Sequence, residues 1–319
     1  MSFRLFLALL ALGTSLVAAA AVLAGPGTVL TEQPVRAGAK NERAPAGKFD
    51  GRDRDNLTWV EVANVEPSRR FYNVFFQRSG GSKIKLNKTG QGYTGAVDPP
   101  WVVYQQMNRV RSESSVKLYR IDRRRWVDVP RVVNGPDWEF SPRIDGKWIL
   151  FGRDDDESNV KRLILFNRTT RQNRVLVTLN GADNFLEPGQ VNGKWAVWTI
   201  CRGDVCDVYK YDIPARTRTK LPRPADPTGF AQYAAAVLAN GVVYTTRSGD
   251  GCGVTVRIIR FRSGDPVTGA EIAVLPDGID VSNGQARMRP NGSVDYLYDR
   301  VTCDSGAWDF YRVNDPPLP

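Results

Sequence analysis

The residues available for chemistry set the first limits on this chain of 319 residues, which has 34 acidic side chains, four cysteines and no histidine. Without histidine, the Ser-His-Asp and Cys-His mechanisms are excluded, and so is zinc bound by histidine. Two carboxylates about 5 to 9.5 Å apart can hydrolyse a glycosidic bond, so carbohydrate chemistry stays open. The sequence shows no recognisable catalytic constellation. We therefore favour a protein that is not an enzyme, and we expect neither a cofactor nor a metal site.

Basic residues, mostly arginine, outnumber acidic ones. The chain has 44 basic and 34 acidic residues, which gives a formal net charge of +10. Planar guanidinium groups bind carboxylate and phosphate in a bidentate manner, so an arginine-rich surface suits an anionic partner. The candidate partner-binding residues are Arg123, Arg124, Arg125, Arg168, Arg171, Arg174, Arg216 and Arg218.

The N-terminal segment predicts export. Arg4 precedes an apolar stretch from Leu5 to Ala24, which ends in the small-residue pattern Val22-Leu23-Ala24. This arrangement is typical of a signal peptide, here over residues 1–24. The apolar stretch is about 20 residues long, which also suffices to cross a bilayer, so an uncleaved anchor is the alternative. We expect a secreted or cell-envelope protein whose only membrane contact would be that anchor.

A short phrase recurs through the rest of the chain. An Asn-Gly or Asp-Gly pair precedes a β-rich run at Asp145-Gly146, Asn192-Gly193, Asn240-Gly241 and Asn291-Gly292. Such a pair favours a tight type I′ turn, whose two central residues need positive φ. The glycines are 47, 48 and 51 residues apart. Recurrence at such a period indicates a repeat architecture.

Each repeat contains four predicted strands. In the second full repeat, a short inner strand is followed by runs beginning at Trp148, at Arg162 and at Val175. Four short strands in about 40 to 50 residues, without a capped amphipathic helix, form one blade of a β-propeller. We predict an all-β propeller of six four-stranded antiparallel blades. Five blades are the second choice, and a β-sandwich is the competing fold.

The folded body is predicted to span residues 49–319 as a single propeller domain. Residues 25–48 are rich in Ala, Gly, Pro and charge and have no periodicity, so we predict a flexible tether there. Only Asp315–Pro319 follow the last clear strand, which is too few for an outer strand. The final blade must therefore borrow a strand from the N-terminal side or stay three-stranded. We expect a monomer.

One repeat resembles a known family. The segment Ser141-Pro142-Arg143-Ile144-Asp145-Gly146-Lys147 is similar to the Ser-Pro-Asp-Gly-Lys repeat of TolB-type, WD40-like propellers, with two extra residues between Pro and Asp. The pattern covers roughly residues 50–314, although the other repeats keep only the Asn-Gly turn and the following strand. The resemblance implies an exported propeller. It implies little about function, since unrelated functions share this scaffold.

Blade geometry sorts the charged residues onto two faces. The turns that join first to second and third to fourth strands lie on one face, and the second-to-third hairpins lie on the other. The third-to-fourth turns carry the candidate arginines, so we predict one basic face. The opposite face should be comparatively acidic, with Asp154, Asp155, Asp204 and Asp207. The alternative is that these turns are ordinary solvated surface.

The four cysteines are expected to form two disulfides, because an even count in an exported chain predicts pairing. Cys201 and Cys206 flank a second-to-third hairpin, where directly opposed residues lie within bonding distance. Cys252 and Cys303 occupy the corresponding hairpins of the next two blades and could join them across that face. Free thiols or another connectivity are the alternatives.

The sequence therefore favours a non-catalytic, exported propeller that acts as a binding scaffold and docks an anionic partner on its arginine-rich face. The partner would be a protein or an anionic envelope polymer. Nucleic acid is not expected, because charge alone is weak support for it and the chain is exported. The alternative function is a carbohydrate-active hydrolase or lyase that uses carboxylates near the axis of the ring.

Overall fold

The computed structural model describes residues 33–36, 42–43, 48–49, 55–66, 69–78, 80–108, 113–155, 157–222, 229–238, 240–248, 255–262, 269–275, 278–288, 293–302 and 307–315. Regular structure in these residues consists of β-strands. Numbered in chain order, the strands are β1 (Gln33–Arg36), β2 (Glu42–Arg43), β3 (Lys48–Phe49), β4 (Asp55–Glu66), β5 (Arg69–Arg78), β6 (Ile84–Lys85), β7 (Gln91–Asp98), β8 (Trp101–Met107), β9 (Ser114–Arg120), β10 (Arg125–Val127), β11 (Trp138–Asp145), β12 (Trp148–Asp155), β13 (Val160–Asn167), β14 (Gln172–Asn180), β15 (Asn184–Val191), β16 (Trp195–Arg202), β17 (Val205–Asp212), β18 (Thr217–Lys220), β19 (Gly229–Val237), β20 (Gly241–Ser248), β21 (Val256–Arg262), β22 (Ala270–Val274), β23 (Ile279–Met288), β24 (Val294–Thr302) and β25 (Ala307–Asp315).

These strands form the six blades of a propeller. Blade I contains β2 to β6, blade II β7 to β10, blade III β11 to β14, blade IV β15 to β18, blade V β19 to β22, and blade VI β23 to β25 with β1. Pairing within every blade is antiparallel, and one parallel bridge between Cys206 and Ala231 links the sheets of blades IV and V. The predicted six-bladed, all-β propeller is confirmed.

Two short strands, β1 and β2, lie inside the stretch predicted to be a tether, and a third, β3, begins at its last residue, Lys48. In the outer position of blade VI, Gln33 of β1 pairs with Arg312 of β25. Strands β2 and β3 pair with β4, as in Arg43 with Val60. An open sheet edge offers main-chain hydrogen bonds even to a segment that has no hydrophobic pattern of its own, which explains pairing within this stretch. Of the two alternatives for the final blade, a borrowed N-terminal strand and a three-stranded sheet, the structure has the first. The predicted signal peptide lies outside the described residues.

The hydrophobic core lies between neighbouring blades. Leu163 and Leu165 of blade III, for example, pack against Leu186 and Trp198 of blade IV. Comparable clusters join blades I and II, II and III, IV and V, and V and VI. A central strand is therefore covered on both sides, which explains why Trp195–Cys201 is buried at every position and reads as a nearly continuous apolar run.

The inner strands of blades II to VI share one irregularity. The pairing register shifts within β7, β11, β15, β19 and β23, each time against the second strand of the same blade. A β-bulge of this kind bends a strand and changes where its side chains point. At the bulge of β15, Gln190 accepts hydrogen bonds from the amides of Val237 at 3.0 Å and Ala286 at 2.9 Å. One buried side chain thus connects the inner strands of blades IV, V and VI.

Candidate functional site

The direction of the strands places the third-to-fourth turns of blades II, III and IV on one face of the ring. We call this the turn face; it also carries the first-to-second turns. The opposite face, which carries the second-to-third hairpins, is called the hairpin face. The third-to-fourth turns are residues 121–124, 168–171 and 213–216, because the flanking residues pair as Arg120 with Arg125, Asn167 with Gln172 and Asp212 with Thr217. All the candidate arginines lie in these turns or on the outer strands that follow them.

Each of the three turns has four residues, and the fourth is an arginine at positive φ. The φ values are 48° at Arg124, 58° at Arg171 and 59° at Arg216. These three exposed residues form what we call the arginine row. The left-handed region costs a residue with a β-carbon about 1 kcal/mol or more, and glycine normally occupies it. Arginine, which has a long cationic side chain, therefore adopts this unfavourable backbone conformation at three positions on one face.

Hydrogen bonds fix the backbone of these turns. The amide of Arg171 donates to the carbonyl oxygen of Asn167 at 2.7 Å, and the amide of Thr169 donates to Oδ1 of Asn167 at 2.9 Å. In blade IV the amide of Ala215 donates to Oδ1 of Asp212 at 2.8 Å. That amide is the main reason why the pKa of the Asp212 carboxyl lies below its ordinary value. Arg171 and Arg216 therefore project from turns that are held by their own capping side chains, whereas the amide of Arg124 donates to the carbonyl oxygen of Ile121 at 3.3 Å.

Other candidate arginines are engaged in packing. Arg168 donates from Nη2 to the carbonyl oxygen of Gly146 at 2.7 Å, and its guanidinium lies 4.2 Å from the ring centre of Trp101 in blade II. Burial lowers the pKa of Arg168 from its ordinary value. Arg174 donates from Nη1 to Oη of Tyr211 at 3.1 Å. The guanidinium of Arg218 lies 5.8 Å from the ring centre of Tyr209. The turn face thus divides its arginines between packing and exposure: Arg168 and Arg174 are partly buried, whereas Arg123, Arg125 and Arg218 are exposed.

A set of tryptophans on the turn face was not identified as part of the site from sequence. The ring centre of Trp101 lies 5.1 Å from the guanidinium of Arg120, in addition to its contact with Arg168. The ring centre of Trp148 lies 5.5 Å from Nζ of Lys147. The ring centre of Trp195 lies 4.8 Å from Nζ of Lys194 and 4.5 Å from Nζ of Lys210. Such cation–π contacts hold cations against a flat apolar surface. The available signal was the recurrence of Trp at the start of the second strand in three consecutive repeats.

The hairpin face contains the predicted disulfide. Cys201 and Cys206 are directly opposed in the ladder of β16 and β17, and they are bonded to each other. This bridge indicates an oxidising compartment. The second predicted pair, Cys252 and Cys303, lies outside the described residues. Part of the expected acidity is neutralised, because Lys220 lies 2.7 Å from Asp207 and Lys161 lies 3.6 Å from Asp154.

A carboxyl group with an unusual pKa lies beside a cleft near the hairpin face. Glu139 of β11 is fully buried, and its Oε1 accepts hydrogen bonds from Nε of Arg153 and the amide of Gly135, both at 3.0 Å. Its Oε2 is buried and has no hydrogen-bond partner among the described residues. Burial raises the pKa of Glu139 to about 7. Oδ2 of Asp137 lies 3.9 Å from the same Arg153 nitrogen.

The cleft has a volume of about 720 Å³ and is lined by Gln106, Glu113, Lys117 and Asp137 among others, but not by Glu139. Glu139 lies behind this lining and organises the loop that contains Gly135. In the described ranges, no group of three His, Cys, Asp or Glu residues could hold a metal ion. Nor do the described residues contain a helix long and apolar enough to cross a membrane.

Comparisons with known proteins bear on the fold. No family model and no curated protein matches the chain. TolB from Acinetobacter baumannii is similar over 85% of this chain and 66% of its own, with a TM-score of 0.56 and 16% identity. The β-propeller domain of the Trilobed protease from Pyrococcus furiosus is similar over 86% of this chain and 95% of its own, with a TM-score of 0.51 and 8% identity.

An acylaminoacyl peptidase from Pyrococcus horikoshii is similar over 88% of this chain and 52% of its own, with a TM-score of 0.50 and 8% identity. The chain therefore spans about half of that peptidase and 66% of the TolB chain. At these identities the likeness shows the fold alone. The protein is a six-bladed β-propeller, and its resemblance to TolB-type propellers is confirmed at the level of the fold.

Proposed function

We propose that this protein is a non-catalytic, exported scaffold that binds an anionic partner, a protein or an envelope polymer, on its turn face through the arginine row. The observation that carries the proposal is the repeated placement of Arg124, Arg171 and Arg216 at positive φ, where glycine would be cheaper. Strained backbone that recurs on one surface supports a functional role for the side chains placed there. The backbone alone gives no reason for arginine.

The arrangement suits a partner that spans several blades. Each exposed guanidinium contributes only about 0.5 to 1 kcal/mol to an ion pair in water. Three of them on adjacent blades can contact one extended or multivalent anion simultaneously, and their contributions combine. Binding should weaken with salt, because exposed charges are screened over about 8 to 10 Å at physiological ionic strength.

Two observations support an extracytoplasmic location for this activity. Residues 1–24 have the composition of a signal peptide, although an anchor of the same length stays possible on the same pattern. The Cys201–Cys206 disulfide fits an oxidising compartment such as the cell envelope or the exterior.

The test removes the arginine row and leaves the turns intact. In the triple variant Arg124→Gly, Arg171→Gly and Arg216→Gly, glycine adopts the same backbone without strain. Fluorescent dextran sulfate and poly-L-glutamate serve as polymer and polypeptide probes, and binding is measured by anisotropy in low and physiological salt. We expect at least a tenfold weaker Kd for one or both probes, which is the combined loss of about 1.5 kcal/mol or more.

The matched control removes three exposed cations elsewhere, by Lys85→Gln, Arg131→Gln and Arg202→Gln. It lowers the net charge by the same amount and should bind both probes within about twofold of the wild type, as expected for long-range charge alone. Equal losses in the two triple variants would show that net charge, not the arginine row, determines binding, and the proposal would then be abandoned.

A second candidate function rests on Glu139. A carboxyl group with a pKa of about 7 has the character of the general acid in glycoside cleavage, and a second carboxyl group, that of Asp137, lies 3.9 Å from the Arg153 nitrogen that Glu139 also contacts. Its full burial speaks against contact with a substrate. The experiment is turnover of defined oligosaccharides by the wild type and by Glu139→Gln. Turnover that disappears in the variant while its unfolding curve stays cooperative would favour the enzyme over the scaffold.

A further inference from the structure

The outer strand of blade III differs from those of the other blades. Strand β14 has nine residues, whereas β6 has two, β10 three, β18 four, β22 five and β1 four. Outer strands are sheet edges, and proteins usually protect them by shortness, lysine or proline. The sequence of β14, QNRVLVTLN, has neither lysine nor proline. Blade III therefore presents the longest outer edge among the described strands, with Arg174 near its start and a β-bulge at Leu176, so that the regular pairing edge is residues 177–180.

The edge of β14 has main-chain groups in the orientation that an added strand needs. Beyond the end of β14, the amide of Gly181 donates to the carbonyl oxygen of Asn159 at 3.0 Å. Amides alternate in direction along an antiparallel strand, so those of Leu179 and Val177 face β13 and that of Thr178 faces away from it. The Thr178 side chain is exposed, and that of Val175 is 51% exposed. A peptide could therefore pair here without displacing any side chain from the core.

Charge along this edge has a direction. Strand β14 begins next to the exposed Arg171 on the turn face and ends near the exposed Asp183, which follows it on the hairpin face. Antiparallel pairing continues the pattern of the blade and is slightly more stable per residue than parallel pairing. The N-terminus of an added antiparallel strand would lie beside Asp183, and its C-terminus would lie beside Arg171. Its N-terminal part should be basic, and its C-terminal part acidic.

We propose that the β14 edge binds an extended segment of a partner protein as a fifth, antiparallel strand of blade III, with the acidic end of the segment beside Arg171. This is β-strand addition, in which main-chain hydrogen bonds supply affinity and flanking charges set direction. It goes beyond the arginine row, because Arg124 and Arg216 have no part in it.

The first experiment uses two synthetic peptides that differ only in the direction of charge. The forward peptide is Lys-Lys-Thr-Val-Thr-Val-Thr-Glu-Glu, and the reversed peptide exchanges its two charged ends. Binding to the full chain is measured by fluorescence anisotropy of labelled peptide. We expect the forward peptide to bind at least fivefold more tightly than the reversed one. Equal affinities would overturn the proposed direction and the charge complementarity on which it depends.

The second experiment tests the main-chain contact. Thr178→Pro removes an amide that faces away from β13, while Thr178→Val changes the side chain and keeps that amide. We expect at least tenfold weaker binding of the forward peptide by the proline variant and unchanged binding by the valine variant. A forward peptide with N-methyl groups on alternate residues should also fail to bind the wild type. That measurement decides the question even if the proline variant does not fold.

Three outcomes would overturn the proposal. They are unchanged binding by Thr178→Pro, unchanged binding of the N-methylated peptide, and a wild-type dimer in sedimentation that Thr178→Pro converts to a monomer. The last would show that a second copy of this chain occupies the edge. Arg124→Gly with Arg216→Gly should leave peptide binding intact, so failure of the arginine row and failure of the β14 edge can be told apart.

Discussion

The two faces of the ring fill their positive-φ positions differently. On the hairpin face, Gly203 at 57° and Asn159 at 52° occupy the tips of second-to-third hairpins. These are the residue types that adopt this conformation at little cost. On the turn face, the arginine row adopts the same conformation at higher cost. Because the backbone requirement is the same on both faces, this difference is the reason why we propose a binding role for the arginine side chains.

The composition of the chain does not account for this difference. Three other turn-face positions with positive φ, Gly80 at 69°, Gly146 at 53° and Gly269 at 86°, are glycines. A β-carbon at Gly80 or Gly146 would meet nothing within 4 Å, whereas one at Gly269 would lie 2.6 Å from Cγ2 of Ile259. Glycine is therefore used on the turn face as well, at two positions where space would have allowed a side chain. The contrast can be tested by exchanging or removing the residues that create it.

The largest effect is expected for Glu139, near the hairpin face, whose cost to stability comes from burial of a carboxyl group and not from backbone strain. The pKa of Glu139 is raised to about 7, so its protonated form stabilises the fold fully below pH 4.5, and this contribution is lost as the pH rises through 7. A shift of this size corresponds to a loss of up to about 3 kcal/mol between pH 4.5 and pH 8. Glu139→Gln should remove this pH dependence in urea unfolding, whereas Glu113→Gln, in an exposed residue, should retain it. Parallel pH profiles for all three proteins would contradict a pKa of Glu139 that burial raises above its ordinary value.

The next effect concerns the disulfide of the hairpin face. Cys201→Ser with Cys206→Ser should lower the free energy of unfolding by about 2 kcal/mol, the loop-closure entropy of a short loop. Binding of dextran sulfate should not change, because the arginine row lies on the opposite face. A loss of binding together with stability would show that the two faces are not independent.

A smaller effect of opposite sign is expected in the arginine row. Arg171→Gly should raise the free energy of unfolding by about 1 kcal/mol, because it relieves the strain of positive φ. Arg123→Gly is the matched control: Arg123 lies in the corresponding turn of blade II without positive φ, so glycine there should be neutral or destabilising by about 0.5 kcal/mol. Thermal unfolding of both variants checks the pair. If both changed stability in the same direction, the strain assigned to the arginine row would be wrong.

The smallest effect should be found for Asn159→Gly. Asparagine already tolerates the left-handed region, so the gain in stability should stay below about 0.5 kcal/mol. The measurement is the urea midpoint compared with that of Arg171→Gly. A gain as large as that of the arginine variant would remove the distinction between the two faces.

The blades could be predicted from the sequence because each repeat contains its own turn residues and its own run of apolar residues that forms a buried strand. The position of the Asn192-Gly193 turn was predicted correctly, but its type I′ geometry was wrong, since Gly193 has no positive φ. The reason is local: Oδ1 of Asn192 accepts hydrogen bonds from the amides of Lys194 at 3.1 Å and Trp195 at 2.7 Å. A side-chain cap replaced the backbone conformation that the dipeptide favours.

Features that depend on contacts between blades could not be read from the sequence. The contact of Arg168 with Trp101 joins residues of two blades, and no local pattern marks it. The strands β1 to β3 have no alternation because they pair with an edge that already exists. The arginines themselves were identified, but their φ values depend on turn length, which follows from the pairing of strands on either side. The anionic partner is still a prediction.

The pairing of β1 with β25 has a consequence for biogenesis. Gln33–Arg36 is made before blades I to V and Ala307–Asp315 after them, so blade VI cannot be completed until the whole chain between these two strands has been made. Until then, β25 or its partner is left with an unsatisfied ladder, which is a template for misassembly. Blade VI therefore depends on both β1 and β25, and a chain that lacks either strand would leave an edge of this blade open.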